Sequence, residues 1–443
     1  MTIALIRHFL FASLLGFVAA GPAAAALDIQ SWTLENGARV LFVESRAIPV
    51  LDVSVEFDAG TRRDPAGLAG TAELTNSLLA LGVRAQGAEP ALTEAGISNA
   101  FADIAAERGG DASVDRAGLT LRTLSSPAER SAAVTLLARV LAQPSFPESL
   151  LQRDRARMIA AIKEDLTKPE AIAEKAFWRA LYAEHPYGQQ ADVASVQKIR
   201  REDIVRFHRT HYVANRAVVA MIGAVSRAEA DAIARELTHR LPRGSALPAL
   251  PPVKVQSARE QWIAHPASQA HIALGMPALE RGDPDYFPLM VGNYTLGGGG
   301  FVSRLMNEVR EKRGLAYSVY SYFNPLAQPG PFETGLQTQK SEAENALKVV
   351  RETIAGFLRE GPSEQEVQAA KDNLVGGFAL RIDSNRKILD NIAMIGFYGL
   401  PLDYLDTWTD KVAQVSAADI RAAFGRALAM DRLSTVVVGG ARQ

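Results

Sequence analysis

The sequence predicts a chain of mixed α and β class built as two homologous halves, and three observations carry that expectation. Short runs of alternating apolar residues, such as Ala38, Val40 and Phe42 and then Leu51, Val53, Val55 and Phe57, interleave with longer runs of helical period. Several motifs of the second part repeat motifs of the first at one common offset. Between them lies an aperiodic, proline-rich stretch, LPRGSALPALPPVKVQ at 241–256, that reads as an interdomain linker. The expected organisation is a first domain over 27–240, a linker over 241–257 and a second domain over 258–443. A chain of 443 residues with 48% hydrophobic and 22% charged content has enough apolar material for two cores. Its formal net charge of −1 creates no global field, so composition offers no reason to expect nucleic acid or an anionic membrane surface as partner.

Residues 1–26 read as a cleaved secretory signal peptide rather than as fold. Arg7 and His8 precede the apolar run FLFASLLGFVAA, and Ala24 and Ala26 supply an A-x-A cleavage pattern. The run is shorter than the roughly 20 residues of a spanning helix, and no later segment is long and apolar enough to span. The chain has no cysteine, so neither a lipid tether on cysteine nor a disulfide is available. The expectation is a bacterial periplasmic protein held by core burial.

Taken in order, 27–60 alternates as strands, with Asn36 and Gly37 as the turn of a hairpin. Residues 67–82, GLAGTAELTNSLLALG, follow as a short helix with Leu74, Leu78 and Leu81 at i, i+4 and i+7, one buried stripe. Residues 90–107 have helical period and 111–124 alternate again, with Val114, Leu119 and Leu121 among polar neighbours. Ser126, Pro127 and Glu129 predict a helix start with a capping box, the helix running to about Ala142. A second long helix spans 147–165, His185 to Gly188 form a loop, and helix (202–211), strand (217–225) and a helix capped by Ser226 with Glu229 complete the first half. In the second half Asp419-Ile420 repeat Asp203-Ile204, Asp431-Arg432 repeat Asn215-Arg216, Gly439 repeats Gly223, and the helix from Pro362 repeats that from Pro147.

Four places could carry chemistry. Glu73, Asn76 and Ser77 stand at i, i+3 and i+4 and are expected to share one face of their helix. His208 and His211 have a ligand-like spacing but no paired carboxylate, which predicts a solvent-facing or capping role; His265 and His271 are expected to be structural. Gly297, Gly298, Gly299 and Gly300 lack the Lys-Ser or Lys-Thr of a P-loop and read as a tight loop that lets another backbone approach. In LMNEVREKRGLAYSVYS, Arg310 and Tyr317 are hydrogen-bond donors seven residues apart that could serve a ligand. The competing reading pairs Arg310 and Arg313 with Glu308 and Glu311 and packs Tyr317 within a strand.

The lead-in DAGTRRDPAGLAG from Asp58 and the exit through Leu78, Leu79 and Gly82 resemble the motif region of the pitrilysin-type, or inverzincin, metallopeptidases, and the resemblance extends over essentially the whole mature chain. In that family H-x-x-E-H supplies two zinc-binding histidines and a general base. On that pattern Glu73 and Ser77 stand at the histidine positions, Asn76 at the base, and Ala161 where a downstream helix supplies a glutamate as third ligand. Glu164 lies about 300° further round the helix, a poor substitute. The resemblance implies an α+β fold: two halves, each a mixed β-sheet flanked by helices, related by a pseudo-twofold and forming half of a clamshell around unfolded peptides. It further implies that Arg310 and Tyr317 match a substrate-binding and oxyanion-stabilising pair, with Arg313 as the alternative arginine, and that Gly297 to Gly300 abut the substrate cavity. The function it implies is a non-catalytic subunit of a heterodimeric zinc peptidase, with no metal in this chain, zinc in a homologous partner and no membrane span. A peptide-binding or assembly protein without a role in proteolysis stays open, as does an autonomous peptidase with an unrecognised site, for which the residues give no support.

Overall fold

The protein is described by a computed structural model covering residues 27–254 and 256–440; the signal-peptide expectation for 1–26 lies outside the described residues. β1 (Gln30–Thr33) and β2 (Arg39–Glu44) form the expected hairpin, with Gly37 at φ +92°, a conformation glycine adopts without a Cβ clash. β3 (Val50–Phe57), α1 (Thr71–Leu78), the two-residue strands β4 (Gly82–Val83) and β5 (Leu92–Thr93), α2 (Glu94–Asp103), β6 (Glu107–Gly109) and β7 (Ala117–Leu124) follow. Then come α3 (Pro127–Ala142), α4 (Glu148–Asp165), α5 (Pro169–Leu181), α6 (Val193–Lys198), α7 (Arg201–His211), β8 (Val218–Gly223) and α8 (Arg227–Thr238). The second part contains β9 (Glu260–Ile263), β10 (Gln269–Leu279), α9 (Tyr286–Asn293), β11 (Ala316–Phe323), β12 (Gly330–Gln339), α10 (Ala343–Glu360), α11 (Glu364–Gly376), α12 (Asn385–Tyr398), α13 (Trp408–Gln414), α14 (Ala417–Ala427) and β13 (Ser434–Val438).

Two mixed sheets result, ordered β1-β2-β8-β3-β7-β6 and β11-β12-β10-β13-β9. Each contains one parallel pair, β2 with β8 and β9 with β13, among antiparallel neighbours. The repeated motifs fall on equivalent elements: Asp203 and Asp419 in the first turns of α7 and α14, Asn215-Arg216 and Asp431-Arg432 in short 3₁₀ turns, Gly223 and Gly439 at the ends of β8 and β13. The alternation of β2 and β3 is borne out, since Val40, Phe42, Leu51, Val53, Val55 and Phe57 are all buried in the first core. At α3 the bounds agree with the sequence but the capping box is absent: Ser126 donates to Glu129 side chain to side chain, and neither caps the backbone. At α8 the box is complete, Ser226 Oγ accepting from Glu229 N at 3.3 Å while the Glu229 carboxylate accepts from Ser226 N at 2.8 Å.

The halves exchange helices. α5, from the first half, lays Phe177, Trp178 and Leu181 against Ala273, Val436 and Val438 of the second sheet. α12, from the second half, packs Leu389, Ile392, Ala393 and Ile395 against Leu41, Val43, Val218 and Ile222 of the first. Each sheet therefore buries the face its own half leaves open, which is why β2 and β8 are apolar on both faces. At the join, Asp115 is 1% exposed and accepts from donors of both halves: Arg62 Nη1 at 2.7 Å and Tyr187 OH at 2.9 Å, then Tyr398 OH and Ala327 N, each at 2.8 Å. Burial and then the Asp115 carboxylate raise the phenol pKa values of Tyr187 and Tyr398, so both stay protonated donors. Among the described residues no helix is long and apolar enough to cross a membrane.

Candidate functional site

Asp64 starts α1. Its carboxylate accepts from Gly70 N and Ala72 N, both at 2.7 Å, satisfying donors that a helix N-terminus leaves unpaired. Burial pushes the Asp64 carboxyl up to about 7 against those two bonds, with Glu73 adding repulsion. Leu74, Leu78 and Leu81 are buried as the stripe predicts.

The polar triplet divides. Glu73 and Ser77 face solvent, but Asn76 is buried and its Oδ1 accepts from Tyr212 OH at 2.9 Å. At 100° per residue the three span a 100° arc, and the packing of α7 and Tyr212 against α1 covers the Asn76 side of it. The expectation of one shared face is thus corrected. Ser77 Oγ donates back to Leu74 O at 3.0 Å, and Glu73, with Lys175 opposing, has its pKa raised by desolvation despite its exposed surface. Ala161 is exposed on α4, and Glu164 is engaged with Lys168 at 2.9 Å. A carboxylate, a back-bonded hydroxyl and a methyl group do not complete the three or four N, S or O ligands that zinc takes at about 2.0–2.3 Å.

His208 and His211 are corrected as well. Neither faces solvent: they are 6% and 7% exposed, His208 Nε2–H donating to Leu141 O at 2.8 Å and His211 Nδ1–H to Asp58 O at 2.9 Å. His208 also stacks on Tyr212, with ring centroids 5.1 Å apart. Burial pushes both imidazoles from 6.5 down to about 4, so both fold neutral. The unfolded chain binds their protons near pH 6.5, hence their stabilisation is fully present above 6.5 and lost as pH falls through 4, roughly 3 kcal/mol for each. Asp64, with its raised pKa, acts in the opposite sense, its contribution full below about 4 and lost as pH rises through about 7. Lowering the pH from 7 to 4 should therefore cost the wild type roughly 3 kcal/mol more than it costs His208→Gln, read from urea titrations of both at the two pH values; an equal change in both would contradict the assignment.

The second half holds an open wall. α9 runs into a π-helical turn, Tyr294–Gly298, in which Gly297 lies so close to β11 that a Cβ there would sit 2.7 Å from Ser321 N. Asn293 Nδ2 donates to Ser321 O at 2.9 Å and Ser321 Oγ to Asn293 Oδ1 at 2.7 Å, tying turn to strand. Gly300 completes the turn at φ +59°. The close backbone approach expected of the glycine run is what its first member does. Gly297, Gly298 and Gly300 line a groove of about 850 Å³ with Arg310 and Tyr317; Gly299 is not among its lining residues.

Arg310 ends up between two aromatic rings. It lies in a second π-helical turn, Met306–Glu311, with its guanidinium carbon 4.6 Å from the Phe301 ring centroid and 4.8 Å from that of Tyr317. Its ion pairing is limited to a loose 3.6 Å approach to Glu311. Arg313 is held instead by Glu308, at 2.6 Å to the carboxylate and 2.8 Å to the carbonyl. The geometry thus pairs Arg310, not Arg313, with Tyr317. Tyr317 is not packed within the sheet: it is 84% exposed, on edge strand β11 where the register breaks between Ala316 and Val319. Phe301 had no signal in the sequence beyond following the glycines. Also missed was a pocket of about 670 Å³ behind the same strand, where Glu170 and Glu174 of α5 meet Tyr317, Tyr320 and Glu333. There Tyr322 OH donates to Glu333 at 2.7 Å, and burial raises the Glu333 pKa.

Among the described residues no group of three or more His, Cys, Asp or Glu is placed to hold a metal. Residues 198–374 match the family described as peptidase M16 inactive domain. The solved structure of a peptidase M16 inactive domain from Pseudomonas fluorescens superposes with a TM-score of 0.88 at 35% identity, covering 94% of this chain and 98% of that one. The non-peptidase homolog YmxG of Helicobacter pylori is 26% identical over 420 residues, 94% of each chain. An uncharacterized zinc protease of Mycobacterium leprae is 30% identical over 372 residues, 82% of this chain and 81% of its own. With two mixed sheets flanked by helices, no H-x-x-E-H anywhere in its sequence and these relatives, the chain belongs to the peptidase M16 family, among its inactive-domain members.

Proposed function

We propose that this chain is the non-catalytic subunit of a periplasmic heterodimeric zinc peptidase, in which Arg310 and Tyr317 act on peptide bound at the zinc of a homologous partner. The observation that carries the reading is the state of that pair. The guanidinium is held in place by two ring faces and the phenol hydroxyl is open to solvent, so both can donate to an oxygen delivered from outside. The α1 wall supports the same reading from the other side, because Glu73, Ser77 and Ala161 do not make a metal site and Asn76 is committed to Tyr212. The residues at 1–26 support export.

A second reading, a peptide-binding or assembly protein, is favoured by one observation: Phe301, Val302 and Leu380 are large apolar residues left 65–72% exposed. Mixing separates the two. The purified chain is combined with a homologue that carries H-x-x-E-H. Light scattering after size-exclusion chromatography should show a 1:1 complex, and a fluorogenic unfolded peptide should be cleaved only by the mixture, with zinc found in the partner. Full activity from the partner alone, unchanged by this chain, would leave the assembly reading standing.

A further inference from the structure

The second half contains a pocket that shares no lining residue with the groove above. It has a volume of about 470 Å³, within the range of small-molecule sites. Tyr286 and Phe287 of the first turn of α9, Leu400 and Tyr404 after α12, Lys411 of α13 and Arg281 line it. Phe287 leans on Tyr404 with ring centroids 6.1 Å apart and on Trp408 at 6.3 Å, which fixes an aromatic wall. Pro284, Pro288 and Pro401 stiffen the surrounding backbone, so little ordering would accompany binding.

The pocket's lining carries two cations and two carboxylates, and of these only the cationic side chains lack a hydrogen-bond or ion-pair partner among the described residues. Lys411 Nζ lies 5.6 Å from the Phe287 ring centroid and forms no ion pair with a described residue. The Arg281 guanidinium sits 5.3 Å from the Tyr398 ring centroid, again without an ion pair, and its buried Nε has no hydrogen-bond partner. The two carboxylates among the lining residues each accept hydrogen bonds from neighbours along the chain. Asp419 accepts from Ser416 Oγ at 2.6 Å and Ser416 N at 2.9 Å, bonds that hold its pKa below the ordinary value, and Asp283 accepts from Asp285 N at 2.7 Å. One cation over the aromatic wall and a second elsewhere in the lining, neither ion-paired, fit a ligand with one carboxylate and one apolar body.

We infer that this pocket binds a small carboxylate bearing an aromatic or branched apolar group, the chemistry shared by an N-blocked hydrophobic amino acid and the C-terminal residue of a peptide. The carboxylate lies between Arg281 and Lys411 and the apolar body against Phe287 and Tyr404. The inference is independent of the zinc-partner reading, because it needs no partner and is read as binding.

Isothermal titration of the purified mature chain with N-acetyl-L-phenylalanine tests it, with N-acetyl-L-phenylalaninamide as the uncharged twin. The acid should bind at least about tenfold more tightly than the amide, as expected for loss of a charge-assisted bond. Lys411→Gln should weaken the acid by a similar factor without shifting the thermal midpoint, and Leu400→Trp, which fills the pocket, should abolish binding. The tetrapeptide Ala-Ala-Ala-Phe, as acid and as amide, separates the sources: the same discrimination supports a peptide C-terminus, and binding of the blocked amino acid alone supports a free small acid. Equal affinity of acid and amide, no binding of either at millimolar concentration, or an unchanged affinity in Lys411→Gln would overturn the inference.

Discussion

Asp115→Ala should lower the stability of the whole chain by about 3–5 kcal/mol, the loss expected when one partner of a buried ion pair is removed and the other stays buried. The substitution strands Arg62, which keeps only Asp58 at 3.1 Å, and leaves Tyr187 OH, Tyr398 OH and Ala327 N without their acceptor. Because two of these donors come from each half, the damage falls on the contact between halves. The denaturant midpoint should drop and the transition should broaden or split, since two bodies coupled less tightly unfold less cooperatively. Tyr398→Phe removes one bond to a charged acceptor and should cost about 1.5–3 kcal/mol, with the apolar packing of α12 retained. Guanidinium titration followed by tryptophan fluorescence and far-ultraviolet circular dichroism measures both. A wild-type midpoint and slope in Asp115→Ala would show that helix exchange alone holds the halves together.

The second large effect is kinetic and rests on the proposed assembly. In the mixed complex, Arg310→Ala and Tyr317→Phe should each lower kcat by roughly a hundredfold to a thousandfold, the magnitude of a lost oxyanion donor, with zinc content and assembly unchanged. Tyr317→Phe isolates the hydroxyl, because the ring on which Arg310 stacks at 4.8 Å remains. Phe301→Ala removes the other ring and leaves both donors. As a positioning change it should cost only about twofold to fivefold, the worth of an exposed cation–π contact. A pair that bound ground and transition states equally would raise KM and spare kcat. A double variant that assembles, holds its zinc and keeps wild-type kcat and KM would remove both side chains from the reaction.

The residues that were legible in the sequence share one property: neighbours close along the chain decide them. The leucine stripe of α1, the bounds of α3, the capping box of Ser226 with Glu229 and the hairpin at Gly37 follow from helical period, cap chemistry and turn chemistry. The duplication was legible for a similar reason, since the same local signals recur in the same order in two halves that fold to equivalent strand orders.

Tertiary structure decided the rest, where two partners far apart in the chain meet. Period alone places Asn76 beside Glu73 and Ser77, but Tyr212, 136 residues away, takes its carbonyl oxygen and turns it inward. His208 and His211 read as surface groups in a strongly charged helix, but bonds to Leu141 O near the end of α3 and to Asp58 O just after β3 hold them buried and neutral. Nothing local marks Asp115 as the acceptor for Tyr398, 283 residues on, or Phe301 as the ring beside Arg310. By itself the sequence determined many of the first half's strands and helices, the repetition of several motifs and the loss of H-x-x-E-H, because those depend on local geometry and residue chemistry. Which polar side chain faces solvent, which arginine meets Tyr317 and which helix covers which sheet depend on surfaces assembled from both halves, and only the folded chain brings those surfaces together.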